Sequence, residues 1–365
     1  MTAMRIIDGD GHVMENAEGI ANFLPAPYLD AGPFTWFDLI APIDHLHVMR
    51  GQMPPGAFRQ DIGPADWQSF LDDVGIERTV LYPSKFLAYG KITDLDAACA
   101  VTRAYNDWLH HTYLQADSRL HGMALIPLQD PPAAVAELRR AVTELGMLGA
   151  MLPATGLADN LGAKAYWPVY AEADRLGCCL AVHGGCHDGL GMDNLNVFPA
   201  VHALGHPFAV TIGFSAIVAN GVLDRFPNTR FAFLEGGVAW LLLAIERLSG
   251  SWRAFRPYNP RGELLTLPPG GTVGDYILGL IQAGRLFVGC EGDEPALPYV
   301  VKVAGSAGLL YSSDFPHEVN NATCKEELAE LLETPDLALA DVAAILHGNA
   351  ERFYRFPALV TQAAG

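Results

Sequence analysis

Basic residues are scarce in this chain: 23 Lys and Arg stand against 41 Asp and Glu, a formal net charge of −18. Such a field repels a phosphate backbone, and no local basic run offsets it, so nucleic acid is excluded as an expected partner. Charge of either sign is thin, with 18% charged residues against 50% hydrophobic ones. A chain of that composition has the material for a large core and does not read as disordered. The six cysteines (Cys99, Cys178, Cys179, Cys186, Cys290 and Cys324) show no paired CxxC spacing, which argues against a disulfide framework or a thiolate metal knuckle. The opening residues, Met1 to Asp8, hold no apolar leader and pass directly into a strand pattern. Apolar runs read as broken by Gly, Arg or Asp within about ten residues, short of a bilayer span. Together these absences predict a cytoplasmic protein without membrane attachment.

What is present is an alternation. Short β-branched or apolar runs at Arg5–Asp8, Arg78–Tyr82, Met123–Ile126, Gly149–Leu152, Cys179–Val182, Arg230–Leu234, Leu286–Val288 and Leu309–Ser312 read as strands. Helical patterns separate them, around Pro64–Val74, Leu95–Ala116, Pro131–Leu145, Tyr166–Leu176, Val238–Trp252, Thr272–Ile281, Ala296–Val303 and Lys325–Leu332. Strand followed by helix throughout predicts an α/β fold, a (β/α)8 TIM-type barrel spanning residues 1–365 as one domain. Three stretches exceed the simple repeat: Glu15–Gly63 after the first strand, His187–Arg225 after the fifth, which reads as partly helical, and Arg253–Gly271 after the sixth. Loops that follow barrel strands lie on the catalytic face, so residues 15–63 are expected to form an insertion or lid and the fifth-strand excursion to join the pocket. Tyr28, Phe34, Trp36 and Phe37 in the first stretch hint at a flat apolar ligand, although such residues more often pack. The last portion, Ala338–Phe356, reads as a closing helix.

Polar residues gather at the strand ends. Asp8-Gly9-Asp10-Gly11-His12 follows the first strand, and residues two apart on a strand share a face. Asp10 and His12 can therefore offer adjacent metal donors, while an ordinary Asp-Gly turn explains the same letters. Leu180-Ala181-Val182-His183-Gly184-Gly185 puts an imidazole where the chain leaves the core, where a merely hydrogen-bonded histidine is the commoner outcome. Leu309 to Asp314 ends a buried strand in a carboxylate, which needs a cation or strong hydrogen bonds. The one literal His-x-His, His45-Leu46-His47, sits in the first loop without a strand around it and reads as a pair of pocket residues rather than ligands. His110, His111, His121 and His347 read as structural.

The segments Ile7-Asp8-Gly9-Asp10-Gly11-His12, Ala181-Val182-His183-Gly184-Gly185, Gly221 to Pro227, Ser312-Ser313-Asp314-Phe315-Pro316-His317 and Gly348-Asn349-Ala350 occur in one order that resembles the amidohydrolase-2 family. That family includes aminocarboxymuconate-semialdehyde and resorcylate-type decarboxylases. The resemblance implies one divalent metal on Asp10, His12, His183 and Asp314, with zinc favoured and manganese as the alternative. It also implies a small-molecule substrate and a homodimer or larger assembly. Two departures stand out. Asp10 replaces the usual His or Glu, and Glu235 stands where the decarboxylases place a histidine after strand six. The missing imidazole is then expected from His206 or His202, four residues apart and so on one helix face. A helix cap or an ion pair with Arg247 is the structural alternative for Glu235. His317 is expected behind Asp314.

The leading expectation is non-oxidative decarboxylation of an aromatic or unsaturated carboxylic acid, with Asp314, or Glu235 together with His206, moving the proton. Hydrolysis by a metal-activated water, with Asp314 as base, is the alternative. A barrel that binds metal or ligand without turnover is the third reading.

Overall fold

The computed structural model describes residues 4–29, 36–51 and 57–357. Its centre is an eight-stranded sheet in the order β1-β2-β3-β4-β5-β6-β7-β8. The strands are β1 Ile7–Val13, β2 Arg78–Pro83, β3 Leu120–Leu125, β4 Gly149–Pro153, β5 Cys179–His183, β6 Arg230–Phe233, β7 Leu286–Cys290 and β8 Leu309–Tyr311. Every neighbouring pair is parallel. Each strand is buried along its whole length, because helices cover one side and barrel-filling side chains the other. The seam between β8 and β1 is drawn together just beyond the strand ends, where His12 N donates to Phe315 O at 2.8 Å and Asp314 N to Asp10 O at 3.0 Å. These two bonds also join the two segments that carry Asp10, His12 and Asp314.

The helices lie largely where the sequence places them. Pro64–Val74 matches at both ends, with Pro at its first turn and Gly75 in the left-handed conformation just past its last. The first strand differs: it starts at Ile7 and continues through His12 to Val13, so Asp8, Asp10 and His12 belong to the strand itself. Gly9 and Gly11 conceal this, since glycine is a poor strand former. The Leu95–Ala116 pattern divides into a helix at Leu95–Leu109 and a wider-wound turn at His110–Leu114. The closing element is three consecutive helical segments from Leu339 to Tyr354. Its buried Asn349 donates to Ser306 O and Leu309 O at 2.7 and 2.8 Å, which clamps β8.

The long stretches need two corrections. Most of His187–Arg225 is one helix, Phe198–Ala219. Its 22 residues include no Asp, Glu, Lys or Arg, so by length and composition it could cross a membrane, contrary to the reading of short broken runs. Here half of its apolar window is buried, with Val201, Val210, Phe214 and Ile217 packed inward. Arg253–Gly271 follows the Ala239–Ala254 helix rather than β6 directly, so it lies away from the strand ends that form the pocket. Within 15–63 the described portions hold only short helical pieces, Ala17–Ala21, Ala26–Leu29, Trp36–Leu39 and His47–Met49. Phe34 lies outside the described residues.

One buried side chain knits three layers of the barrel. Asn106, fully buried, donates from Nδ2 to Leu125 O and Glu137 Oε1 and accepts from Leu125 N, each at 2.8 Å. Removing it leaves buried partners of β3 and the Pro131–Thr143 helix unpaired, at about 1–3 kcal/mol for each stranded group. Asn106→Ala should therefore lower unfolding free energy by about 3 kcal/mol, read from urea denaturation. A loss below about 1 kcal/mol would show that water replaces the amide without penalty.

Candidate metal centre and active site

Four predicted donors converge at the open ends of β1, β5 and β8. His12 Nε2 lies 3.5 Å from Asp10 Oδ1 and 3.3 Å from Asp314 Oδ1, and His183 Nε2 lies 3.4 Å from Asp10 Oδ1. Bonds of about 2.0–2.1 Å to four tetrahedral donors would separate the donors by about 3.3–3.4 Å. Asp10 Oδ1, His12 Nε2 and His183 Nε2 are buried and have no hydrogen-bond partner in the protein. Buried polar atoms left without partners are costly, so three aimed at one point fit a shared cation. The remaining ring nitrogens orient the rings. His12 Nδ1 donates to Pro83 O at 2.7 Å and His183 Nδ1 to Gly184 O at 3.4 Å, with Glu235 Oε2 3.1 Å from the latter nitrogen, which turns both Nε2 atoms toward the site.

Asp8 braces this arrangement from beneath. Its carboxylate accepts from Thr79 Oγ1 at 2.6 Å, Ser313 N at 2.8 Å, Ser313 Oγ at 2.9 Å and Asp10 N at 3.2 Å. Burial raises its pKa to about 6 despite those donors. One side chain thus ties β1, β2 and the exit of β8 together.

The donors form two groups that share His12: Asp10, His12 and His183, and His12, Glu235, Asp314 and His317. Burial raises Asp10 and Asp314, His183 opposing it at the first and His317 at the second. At Glu235 burial acts upward but His206 and His183 outweigh it, holding the carboxyl well below its usual range. Burial acts to lower His183, yet Asp10 and Glu235 push it up to about 9. Burial, reinforced by His317 and His183, holds His12 well down and hence neutral. Glu235 and Asp314 both have left-handed backbones, with φ 56° and 54°. That conformation is uncommon outside glycine and concentrates at functional positions.

His317 does more than stand behind Asp314. Ser84 Oγ donates to Val13 O at 2.9 Å and so accepts from His317 Nε2 at 2.8 Å. His317 Nδ1 then meets Asp314 Oδ1 at 2.9 Å, and that contact needs one proton between the two groups. Burial opposes a charge on His317, but Asp314 and Glu235 raise it to about 9. A divalent ion and this imidazolium together balance the three carboxylates.

Glu235 reaches a second imidazole. Its Oε2 lies 2.8 Å from His206 Nδ1, on the Phe198–Ala219 helix. A Cβ on Gly184 would fall 2.0 Å from that same nitrogen, so the glycine after His183 is what lets His206 approach. The cap alternative for Glu235 fails, because Val238 N is taken by Glu294 Oε2 at 2.7 Å. His202 lies farther out, 3.7 Å from Glu318 Oε1, and lines the cavity above the site. His47 also lines that cavity, whereas His45 is exposed and instead pins its loop through Leu195 O at 2.8 Å. Neither belongs to the donor cluster, in keeping with their reading as non-ligands.

The cavity has a volume of about 470 Å³ and opens from Glu235, His206 and His317 toward Phe37, Ile40, Ile43 and Phe58. Sequence reasoning missed several of its features. Ser84 and Glu15 act together: Glu15 accepts from the amides of Ser84, Lys85 and Phe86 at 2.9–3.0 Å and so shapes the turn that presents Ser84. His187 and Asp44 were also missed; the only signal was a further histidine four residues after His183.

A barrel with imidazole and carboxylate donors at its strand ends, beside an open cavity, defines a metal-dependent enzyme class of the amidohydrolase type. Comparison with known proteins makes this specific. The profile described as amidohydrolase matches residues 7–356, and the chain belongs to that family. It is 37% identical over 307 residues to gamma-resorcylate decarboxylase of Rhizobium radiobacter, covering 78% of this chain and 85% of that one. It is 23% identical over 324 residues to 2-amino-3-carboxymuconate-6-semialdehyde decarboxylase of Dictyostelium discoideum, covering 85% and 82%. Among solved structures, 5-carboxyvanillate decarboxylase of Novosphingobium aromaticivorans, complexed with manganese and a nitrobenzoic acid, superposes with TM-score 0.70. The identity there is 17%, with 97% of each chain covered.

The orphaned atoms generate a direct prediction. His183→Ala should leave a folded barrel that retains less than about a tenth of the wild-type divalent metal, measured by plasma emission after purification without chelator. Wild-type affinity should also rise with pH up to about 9, because binding must displace the proton on His183. Full metal content in the variant would mean that the ion sits elsewhere.

Proposed function

We propose that this chain is a metal-dependent, non-oxidative decarboxylase of an aromatic or unsaturated carboxylic acid. The observation that carries the proposal is the Asp314–His317 contact, a proton held at 2.9 Å between two groups beside the donor cluster. Decarboxylation needs such a proton. The electron pair of the breaking C–C bond stays on the ring or chain carbon, carbon dioxide departs, and that carbon takes a proton in its place. His317 holds the proton through Ser84 and Asp314, and Glu235 keeps His206 oriented toward the cavity. A bound divalent ion supplies positive charge against which substrate oxygens are oriented and developing negative charge is stabilised. Asp10, His12, His183 and Asp314 would hold it. Zinc is the proposed ion, with manganese the alternative, since two carboxylates and two imidazoles suit both.

The cavity wall supports an anionic substrate. Lys85 Nζ lies 4.0 Å from the centre of the Phe37 ring and the Arg50 guanidinium 4.5 Å from that of Phe58, so two cations are packed against the cavity on aromatic faces. Action as a homodimer or larger assembly rests on the family resemblance, and action in the cytoplasm on six cysteines without paired spacing. Hydrolysis remains the second reading, favoured by one observation: Glu235 is a carboxylate where the decarboxylases place an imidazole, and a carboxylate is a natural base for water.

Reaction in isotopic water separates the two readings. Carbon dioxide release with solvent deuterium on the product carbon is expected, whereas oxygen-18 entering a product acid or alcohol would establish hydrolysis instead. Asp314→Asn, reloaded with metal, should lose kcat by at least about a hundredfold; near-normal kcat would remove it from proton transfer. Glu235→Gln should lower kcat more than it raises KM, and an unchanged kcat would make Glu235 a spectator.

A further inference from the structure

His187 is 2% exposed and lines the cavity, yet neither of its ring nitrogens has a hydrogen-bond partner in the protein. Its position is built rather than accidental. Its backbone N–H donates to Ile43 O at 2.8 Å, joining the loop after β5 to the loop after β1. Its ring stands edge-on to His206, with centroids 4.6 Å apart. The ring fits only because residue 205 is glycine, since a Cβ there would fall 2.2 Å from the His187 imidazole.

Across the cavity wall is Asp44, 4% exposed. Its Oδ1 is occupied by Leu46 N at 2.7 Å, which leaves Oδ2 facing His187 Nδ1 at 3.9 Å. That separation is too long for a direct hydrogen bond, and it matches a polar atom placed between the two groups.

We infer that His187 and Asp44 form a specificity clamp for an uncharged protic substituent, hydroxyl or amino, on the substrate. This rests on the proposed reading of the neighbouring site. Asp44 only accepts, so the substituent must donate to it. A hydroxyl donates to Asp44 Oδ2 and accepts from His187 Nδ1–H; an amino group donates to both, with His187 in its other tautomer. A carboxylate is repelled by Asp44, and an ether or a bare C–H strands both partners. Burial, with His206 beside it, pushes the His187 imidazole down to about 3, so it is neutral at physiological pH and adds no charge to hold an anion.

The clamp is tested by calorimetric titration of metal-loaded enzyme with salicylate and derivatives carrying hydroxyl, amino or methoxy in turn at ring positions 3, 4 and 5. At one position the hydroxyl or amino compound should bind at least about tenfold tighter than its methoxy counterpart and the parent. In His187→Ala and in Asp44→Asn, the second of which keeps the Leu46 acceptor, that ratio should fall below about threefold. A ratio unchanged in both variants overturns the clamp. So does salicylate binding with no protic preference at any position, which leaves the reading of the metal site standing. Absence of binding by every salicylate overturns that reading, and the clamp with it.

Discussion

Three carboxylates, Asp10 buried and Asp314 and Glu235 half-buried, gather around His12 and His183 at the mouth of this barrel, and most of the local architecture answers that fact. Withdrawal from water pushes Asp10 and Asp314 toward taking up protons, and the nearby Glu235 carboxylate adds to that push. The protein meets the charge with imidazoles from three directions: His183 at the end of β5, His206 from the Phe198–Ala219 helix and His317 beyond β8. The atoms of Asp10, His12 and His183 that are buried without hydrogen-bond partners fit a divalent cation. The same crowding links structure to chemistry, because a proton or a cation held there is held under electrostatic tension and moves when a substrate alters the balance.

Below that layer other polar side chains brace the strands. Asp8 spans three strands with four hydrogen bonds. Tyr354 of the closing helical segment reaches back to Gly9 O and to Tyr82 Oη at 2.8 Å, and the Tyr82 ring lies 5.6 Å from that of His183. The far end of the chain thereby supports the strand that carries Asp10 and His12. Support from packed neighbours holds the donor atoms at ligand spacing.

Much of this was legible in the sequence, for physical reasons. The strands are apolar on both faces and bounded by polar ends, so their number and positions could be read, and Asp10, His12, His183 and Asp314 fall where a barrel places its chemistry. Glu235 stands where the resembling family has a histidine, so His206 or His202 was expected to supply the imidazole, and His206 lies 2.8 Å from Glu235. The remainder depends on contacts between distant loops. Ser84 becomes a partner of His317 only through the turn that Glu15 shapes, and His187 meets Asp44 across a separation of over a hundred residues that no periodicity records. The helical character of the excursion after β5 was legible, with His202 and His206 on one face, but the full run of Phe198–Ala219 was broken up in the reading by its glycines and by Pro207, which mimic loop composition. Local propensity misleads there because packing against the barrel decides the conformation.

The left-handed turns at Glu235 and Asp314 carry a consequence of their own. A backbone held in that shape by the barrel fixes where a side chain leaves the strand while leaving open which side chain it is. The end of β6 is therefore a socket: the scaffold specifies an exit vector into the cavity, and a single codon decides whether a base, an acid or a hydrogen-bond donor is plugged in. Chemistry at this position can diverge without any strand, helix or loop being rebuilt.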